Sequence, residues 1–369
     1  MMHAVSERYL SRIARAADHA DRVDLAALLV TPSADLLYLS GYSPPPLERL
    51  TCLIVRPHSD PVLLVPELER PRAAVSPVGE QIEIVGWLDD EDPYQHIATM
   101  LPDGVRHGAS DQMWAAHLLA LQEALPDSGF VPTAEVLSAL RAIKDPDELE
   151  LLSRAARGAD ETFRRLRDSR LEGLREEEIA VLLASLLREC GHDDVSFTIV
   201  ASGPNGASPH HEPGGRTIRS GDPIVLDFGG RVGGYCSDIS RTVCVSQAPE
   251  GFEEVYEVVR EAQEAAFQAV RPGGTASEVD RAARDVIENA GYGELFIHRT
   301  GHGIGLEEHE APWIAPGNED ELRPGMCFSI EPGIYLGDQF GVRIEDIVVV
   351  TKDGANRLNR ASRELEVVA

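Results

Sequence analysis

Cysteine is scarce and uncoordinated. The five thiols, Cys52, Cys190, Cys236, Cys244 and Cys327, are odd in number and show no CxxC spacing. That excludes a disulfide scaffold and a zinc ribbon, and leaves the thiols as small apolar packing groups suited to a reducing cytoplasm. Positive charge is also short: 34 Lys and Arg stand against 62 Asp and Glu, a formal net charge of −28. Such a chain repels phosphate backbones, which disfavours nucleic-acid binding through a basic patch. No apolar run approaches the length of a membrane helix, residues 1–24 hold no apolar signal core, and neither tandem repeats nor low-complexity tracts occur. What remains is ordinary globular material, 43% hydrophobic and 26% charged, long enough at 369 residues for two domains.

In chain order, residues 9–22 space Leu10, Ile13 and Ala17 along one helical side. The apolar run 25–30, ended by Thr31-Pro32, reads as a buried strand, after which Ser33 caps a short turn carrying Leu36 to Leu39. Runs 53–55 and 62–65 pair as strands. A helix at 67–74, a strand at 82–85 and helices at 94–101 and 114–125 complete a compact α/β domain. It clusters no catalytic groups, so we expect it to shape the molecule or to dimerise. The boundary falls near Lys144 to Glu148, with Asp145 as helix cap and Pro146 in the first turn, giving domains 1–143 and 144–369. Helices at 147–167 and 176–190 follow, the second stopped by Gly191. From Phe197 onward the texture changes to strands and glycine turns. Helices at 252–271 and 275–290 interrupt them, and a strand pair at 326–335 and 341–351 closes the domain.

The densest stretch is His298 to Glu310, with three of the chain's 12 histidines and alternating Gly301, Gly303 and Gly305. His298 and His302 have the spacing of a helical zinc pair, but each glycine costs a helix about 1 kcal/mol. Extended backbone is therefore expected, with His298 and His302 on one strand face and glycines where another chain segment approaches closely.

Four carboxylates answer these imidazoles. Asp227 ends an apolar strand, where an unpaired charge costs several kcal/mol. If the following turn centres on Val232-Gly233, Asp238 lies directly opposite, its Cβ about 5 Å away. Glu331 and Glu345 repeat the arrangement, again as acids embedded in apolar strands. Facing carboxylates repel unless a cation lies between them. Four acids with His302 carry too much charge for one dication and suit two, and a hard O/N set without thiolate favours Mn, Co or Zn.

In order and context, Asp227 and Asp238, His302 of Gly-His-Gly-Ile-Gly, Glu331 of Glu-Pro-Gly-Ile-Tyr and Glu345 of Val-Arg-Ile-Glu-Asp resemble the dimetal ligands of the pita-bread metallopeptidases. The resemblance covers residues 146–369, and the first half looks like the creatinase/prolidase-type N-terminal domain. It implies an α+β protein, a pita-bread catalytic domain behind an α/β domain, and most closely a short bacterial Xaa-Pro dipeptidase. It further implies that Asp227 chelates one metal, His302 and Glu331 the other, and that Asp238 and Glu345 bridge. Two divalent ions are implied, Mn²⁺ first, with Co²⁺ or Zn²⁺ as alternatives. Glu331 would shuttle the proton; His210 and His309 would stabilise the oxyanion or orient the amide; His298 and Arg343 would line the proline-side pocket and the proton-transfer network. A homodimer acting in the cytoplasm on small peptides with proline second is also implied, with no nucleic-acid or membrane partner.

Several neighbours have plainer readings. His211 is expected as a surface loop residue, Arg343 as an ion-pair partner of the acids, Asp346 as an outer or exposed acid, and Tyr235 as core. Two departures stand out. Glu308 occupies a position where the family expects Ile or Val. The arginine by which some prolidases hold the substrate carboxylate is missing from 311–322, with Arg323 the only one at the edge of that interval, leaving Arg299 or Arg343 to substitute. Three alternatives are thereby kept in view: an Xaa-Pro aminopeptidase, a metal-free creatinase-like enzyme, and a non-catalytic binding domain.

Overall fold

The computed structural model describes residues 2–369 and divides after Arg141 into two units. The first unit turns the expected alternation into a mixed six-stranded sheet. Its elements are α1 (Met2–Arg22), β1 (Leu28–Val30), α2 (Ala34–Ser40), β2 (Cys52–Val55), β3 (Val62–Pro66), α3 (Arg70–Ala74), β4 (Glu83–Trp87) and α4 (Pro93–Met100). Then come β5 (Arg106–Ala109), α5 (Ala115–Ala124), β6 (Gly129–Pro132) and α6 (Ala134–Ala142). Strand order is β4-β3-β2-β1-β5-β6. Ser33 does cap α2, accepting from the Leu36 amide at 3.4 Å. The helix expected at 67–74 is instead a single 3₁₀ turn followed by the short α3, because Pro71 cannot donate within a continuous ladder. Leu29, Cys52, Ile54, Leu64, Trp87 and Leu121 form this unit's core.

The second unit repeats one plan twice, a helix pair followed by an antiparallel sheet. The first copy has α7 (Pro146–Arg167), α8 (Glu176–Glu189), β7 (Asp194–Ser202), β8 (Pro223–Val232), β9 (Tyr235–Cys236) and β10 (Ile239–Val245). Asp145 and Glu148 close a capping box on α7, satisfying two amides that would otherwise be orphaned. The second copy has α9 (Phe252–Ala269), α10 (Ala276–Asn289), β11 (Gly301–Gly303), β12 (Glu310–Ile314), β13 (Cys327–Ile330), β14 (Gly333–Leu336), β15 (Phe340–Arg343), β16 (Asp346–Val350) and β17 (Ala355–Arg357). A final strand, β18 (Glu366–Val368), returns to pair in parallel with β10. Phe163, Leu166, Ile179, Leu187, Phe228 and Ile239 fill the first helix–sheet interface. Phe252, Val259, Ile287, Phe328, Val342 and Val348 fill the second.

Two register expectations need correction. The β8–β9 turn centres on Gly233-Gly234, closed by Val232 opposite Tyr235, and both glycines have positive φ (58° and 87°). That is what a two-residue primed turn requires. Asp227 therefore stands opposite Ser240, and Asp238 lies two residues away on the same face, just ahead of β10. The last strand pair is also interrupted. β13 pairs with β16 and β14 with β15 in one common register, leaving Glu331-Pro332 and Ile344-Glu345 in the gap. Glu331 and Glu345 thus fall opposite each other, at a break rather than within strands. Pro332 removes a ladder donor there and biases Glu331 toward extended backbone.

Candidate metal centre and peptide site

The interruptions expose what regular strands would hide. With no strand partner, the Glu331 amide donates to Thr300 O (2.8 Å) and the Glu345 amide to Ser240 O (3.0 Å). Each acidic residue is thereby tied to a neighbouring sheet segment, the one leading into β11 or the one beginning β10. His302 sits on β11, squeezed between strands. A Cβ at Gly301 would overlap the Ser329 carbonyl, and one at Gly303 the Ala311 carbonyl. The alternating glycines are therefore close-approach positions, as expected. His298, in contrast, lies in irregular chain before β11 and does not share a strand face with His302. His309 lies in the β11–β12 turn, its ring edge-on to His302 with centroids 4.1 Å apart.

All nine residues singled out in the sequence line one cavity of about 530 Å³: His210, Asp227, Asp238, His298, His302, His309, Glu331, Arg343 and Glu345. Phe197, Ile199, Arg299 and Glu308 share its walls. This volume suits a small peptide. Ligand atoms of Asp238, His302 and Glu345 all lie within 4.8 Å of one another. His302 Nε2 is 3.1 Å from Glu331 Oε1 and 3.8 Å from Asp238 Oδ2. Its Nδ1 is 3.1 Å from the Gly303 carbonyl, a partner that would keep a proton on Nδ1 when Nε2 coordinates a metal.

The chemistry of the cluster is that of a cation site. Asp238 and Glu345 are almost fully buried, and Asp227 Oδ1, Asp238 Oδ1 and Glu345 Oε1 have no hydrogen-bond partner among the described residues. Burial and then the neighbouring acids push the Asp238 and Glu345 carboxyls well above the usual carboxylate range. Each orphaned buried acceptor costs about 1–3 kcal/mol, so three converging on one cavity are a standing destabilisation that divalent cations would relieve. Burial would raise Glu331 too, but the His302 hydrogen bond and charge overcome it and bring that carboxyl down to about 2.

Arg343 makes the ion pair expected of it, donating to Asp227 Oδ2 at 2.6 Å. It also donates to Tyr335 Oη (3.0 Å), Ser240 Oγ (2.9 Å) and the Pro209 carbonyl (3.3 Å). Ser240 in turn donates to Glu345 Oε2 at 3.0 Å. His298 Nδ1 faces the Arg299 carbonyl at 2.8 Å, so its Nε2 accepts from Tyr335 Oη, also at 2.8 Å. Burial holds the His298 pKa below the usual imidazole value, in keeping with a neutral ring. His309 is brought down to about 4, first by burial and then by His302 and Arg299.

The plainer readings fare unevenly. Tyr235 is core, its hydroxyl bonded to Glu148 at 2.8 Å. Asp346 is not exposed: fully buried, it pairs with Arg241 (2.6 Å), Arg357 and Arg363 (3.2 Å each), because four basic or amide groups surround it. His211 is not a free surface residue either. It is half-buried, with Nε2 2.9 Å from the buried Glu176 carboxylate. Glu308 finds its reason across the cavity rim, in an ion pair with Arg231 at 2.9 Å, and the Arg231 hydrogen bond lowers its pKa against the effect of burial. Sequence reasoning passed over Tyr335, Ser240 and Glu176. Tyr335 carried a signal, as part of Glu-Pro-Gly-Ile-Tyr; Ser240 became visible only once the register was known.

Residues 150–352 match the family model described as Metallopeptidase family M24, and residues 12–143 that described as Creatinase/Prolidase N-terminal domain. A probable dipeptidase PepE from Mycobacterium tuberculosis is 42% identical, with 98% of this chain and 97% of that protein aligned. An Xaa-Pro dipeptidase from Lactobacillus helveticus is 40% identical over 90% and 92% of the two chains. Among solved structures, the dipeptidase PepE from Mycobacterium ulcerans superposes with a TM-score of 0.95 at 41% identity, covering 98% of both chains. The recombinant prolidase from Thermococcus sibiricus gives 0.92 at 42% identity, covering 98% and 99%.

Proposed function

Because the chain belongs to metallopeptidase family M24, with a creatinase/prolidase-type domain ahead of the catalytic one, we propose that it hydrolyses Xaa-Pro bonds in dipeptides. The observation that carries this reading is the cluster of orphaned buried carboxylate oxygens beside His302 in a peptide-sized cavity. Asp227, Asp238, His302, Glu331 and Glu345 would hold two divalent ions, for which we propose manganese. When bound, the ions supply Lewis acidity to the scissile carbonyl and acidify the attacking water.

The chain's own groups do the rest. Glu331 accepts a proton from the attacking water on its carboxylate and returns it to the departing proline nitrogen. His210 and His309 reach the same cavity, where an imidazole N–H donates to the developing oxyanion. Arg343 and Tyr335 fix Asp227 and His298, and His298 forms part of the wall against the proline ring. We place the enzyme in the cytoplasm as a homodimer.

Dipeptides are favoured over longer peptides by Arg299. Its guanidinium lies over the Trp313 ring at 4.3 Å, lines the cavity, and makes no ion pair among the described residues. A free substrate carboxylate would complete it. The relatives named dipeptidase and Xaa-Pro dipeptidase agree with this choice. The test is turnover of Xaa-Pro dipeptides beside Xaa-Pro-Yaa tripeptides, with Mn²⁺, Co²⁺ or Zn²⁺ restored after chelation. Faster cleavage of the tripeptides would make the enzyme an aminopeptidase. Turnover unaffected by chelation would end the dimetal reading.

A further inference from the structure

Glu176 begins α8 with its side chain fully buried, yet no lysine or arginine touches its carboxylate among the described residues. Oε1 accepts from the Ser202 amide (2.8 Å), Ser202 Oγ (2.6 Å) and Asn205 Nδ2 (3.0 Å). Oε2 accepts from His211 Nε2 (2.9 Å) and the Gly214 amide (3.3 Å). The α8 backbone holds the same segment, Glu176 N donating to Arg216 O and Glu177 N to Gly214 O, both at 3.1 Å. One buried anion therefore gathers residues 202–216 from within, like the hub of a loop. A buried carboxylate is expensive unless fully hydrogen-bonded, and this one is satisfied only when the loop is closed around it. The shifts agree: burial opposes ionisation, but the Ser202 and His211 hydrogen bonds bring Glu176 below its ordinary value.

That loop carries His210 into the cavity of the carboxylate cluster. His210 itself is exposed and has no hydrogen-bond partner among the described residues. Its neighbours hold it: Pro209 O accepts from Arg343 at 3.3 Å on one side, and His211 is bound to Glu176 on the other. We propose that Glu176 and His211 are positioning residues, a clamp that sets the His210 imidazole over the reacting carbonyl. This rests on the reading of His210 as an oxyanion-stabilising group. A loosened loop leaves binding largely intact but misplaces the imidazole, and a misplacement of about 1 Å can cost on the order of 100-fold in rate.

The experiment is a double-mutant cycle on the Mn²⁺-loaded full chain with an Xaa-Pro dipeptide. His211→Ala should lower kcat by about 10- to 100-fold, with KM within about threefold of the parent and metal content unchanged. His211→Gln, which keeps a donor for Glu176, should recover most of the loss. In a His210→Ala background, His211→Ala should cost nothing further, because residues acting through one another are non-additive. Full multiplicative loss in the double mutant, or parental kcat in His211→Ala, overturns the clamp while leaving the catalytic reading of His210 in place. Parental kcat in His210→Ala overturns both. If His211→Ala does not fold, His211→Asn, too short to reach Glu176, makes the same comparison.

Discussion

A buried acid with an unsatisfied oxygen is a conflict that a protein keeps only for a reason. In the metal-free molecule Asp238 is such a residue, buried beside Asp227 and Glu331 with one oxygen unsatisfied. Asp238→Asn removes the charge and supplies donors. The metal-free variant should therefore unfold at higher urea than the metal-free parent, by about 1–3 kcal/mol, while losing turnover and bound metal. A metal-free variant less stable than the parent would show that the cluster is not strained. His192 shows the opposite use of burial. Its Nδ1 meets Leu187 O at 3.1 Å, its Nε2 meets Ser237 Oγ at 2.9 Å, and burial lowers its pKa below the ordinary 6.5. With a folded value below the unfolded one, its contribution is complete above pH 6.5 and is lost as pH falls through the folded value. His192→Gln should flatten the fall in denaturation midpoint on acidification below pH 6.5, in profiles recorded by circular dichroism.

At the scale of elements, glycine chemistry decides where ligands sit. Gly301 brings β11 against the Ser329 carbonyl, so Gly301→Ala must push that contact apart. A loss of about 1–3 kcal/mol is expected, together with a fall in metal affinity as His302 moves away from Glu331. Equilibrium unfolding and metal titration read the two effects separately. The helices were legible because caps and periodicity are local: Asp145-Pro146 marked α7, and Gly191 the end of α8. The pairing of Asp227 with Asp238 was misjudged because turn centring depends on which glycines adopt positive φ. Gly233-Gly234 won over Val232-Gly233, since a primed turn disfavours the β-branched Val232 at its first central position. The break at Glu331 could have been inferred from Pro332. The matching break at Glu345 has no such local signal and follows only from its partner strand.

For the whole molecule, the expected architecture is borne out, a creatinase-type N-terminal domain and a pita-bread catalytic domain of family M24. The composition alone could not say so, because a charge of −28 restricts partners without specifying a fold. That charge has its own consequence. Self-repulsion is screened by salt, so the melting temperature should rise between about 0.01 and 0.5 M KCl, over which the Debye length shrinks from about 30 Å to a few ångströms. Metal should act in the same direction at much lower concentration. Ions at 100 times their Kd contribute about 2.7 kcal/mol per site, so chelation should lower the melting temperature and Mn²⁺ should restore it. Equal melting with and without metal, by calorimetry, would contradict the site.

The amides of Glu331 and Glu345 leave their own ladders to bond Thr300 and Ser240. Inheritance of this site is constrained accordingly. Substitutions around it can accumulate one at a time, but a single inserted residue between either acid and its register partners would turn the following side chains to the wrong face. The ligand-bearing strands can therefore drift in residue identity but not in length, and changes in length among descendants of this chain should collect in loops such as the one around Gly317.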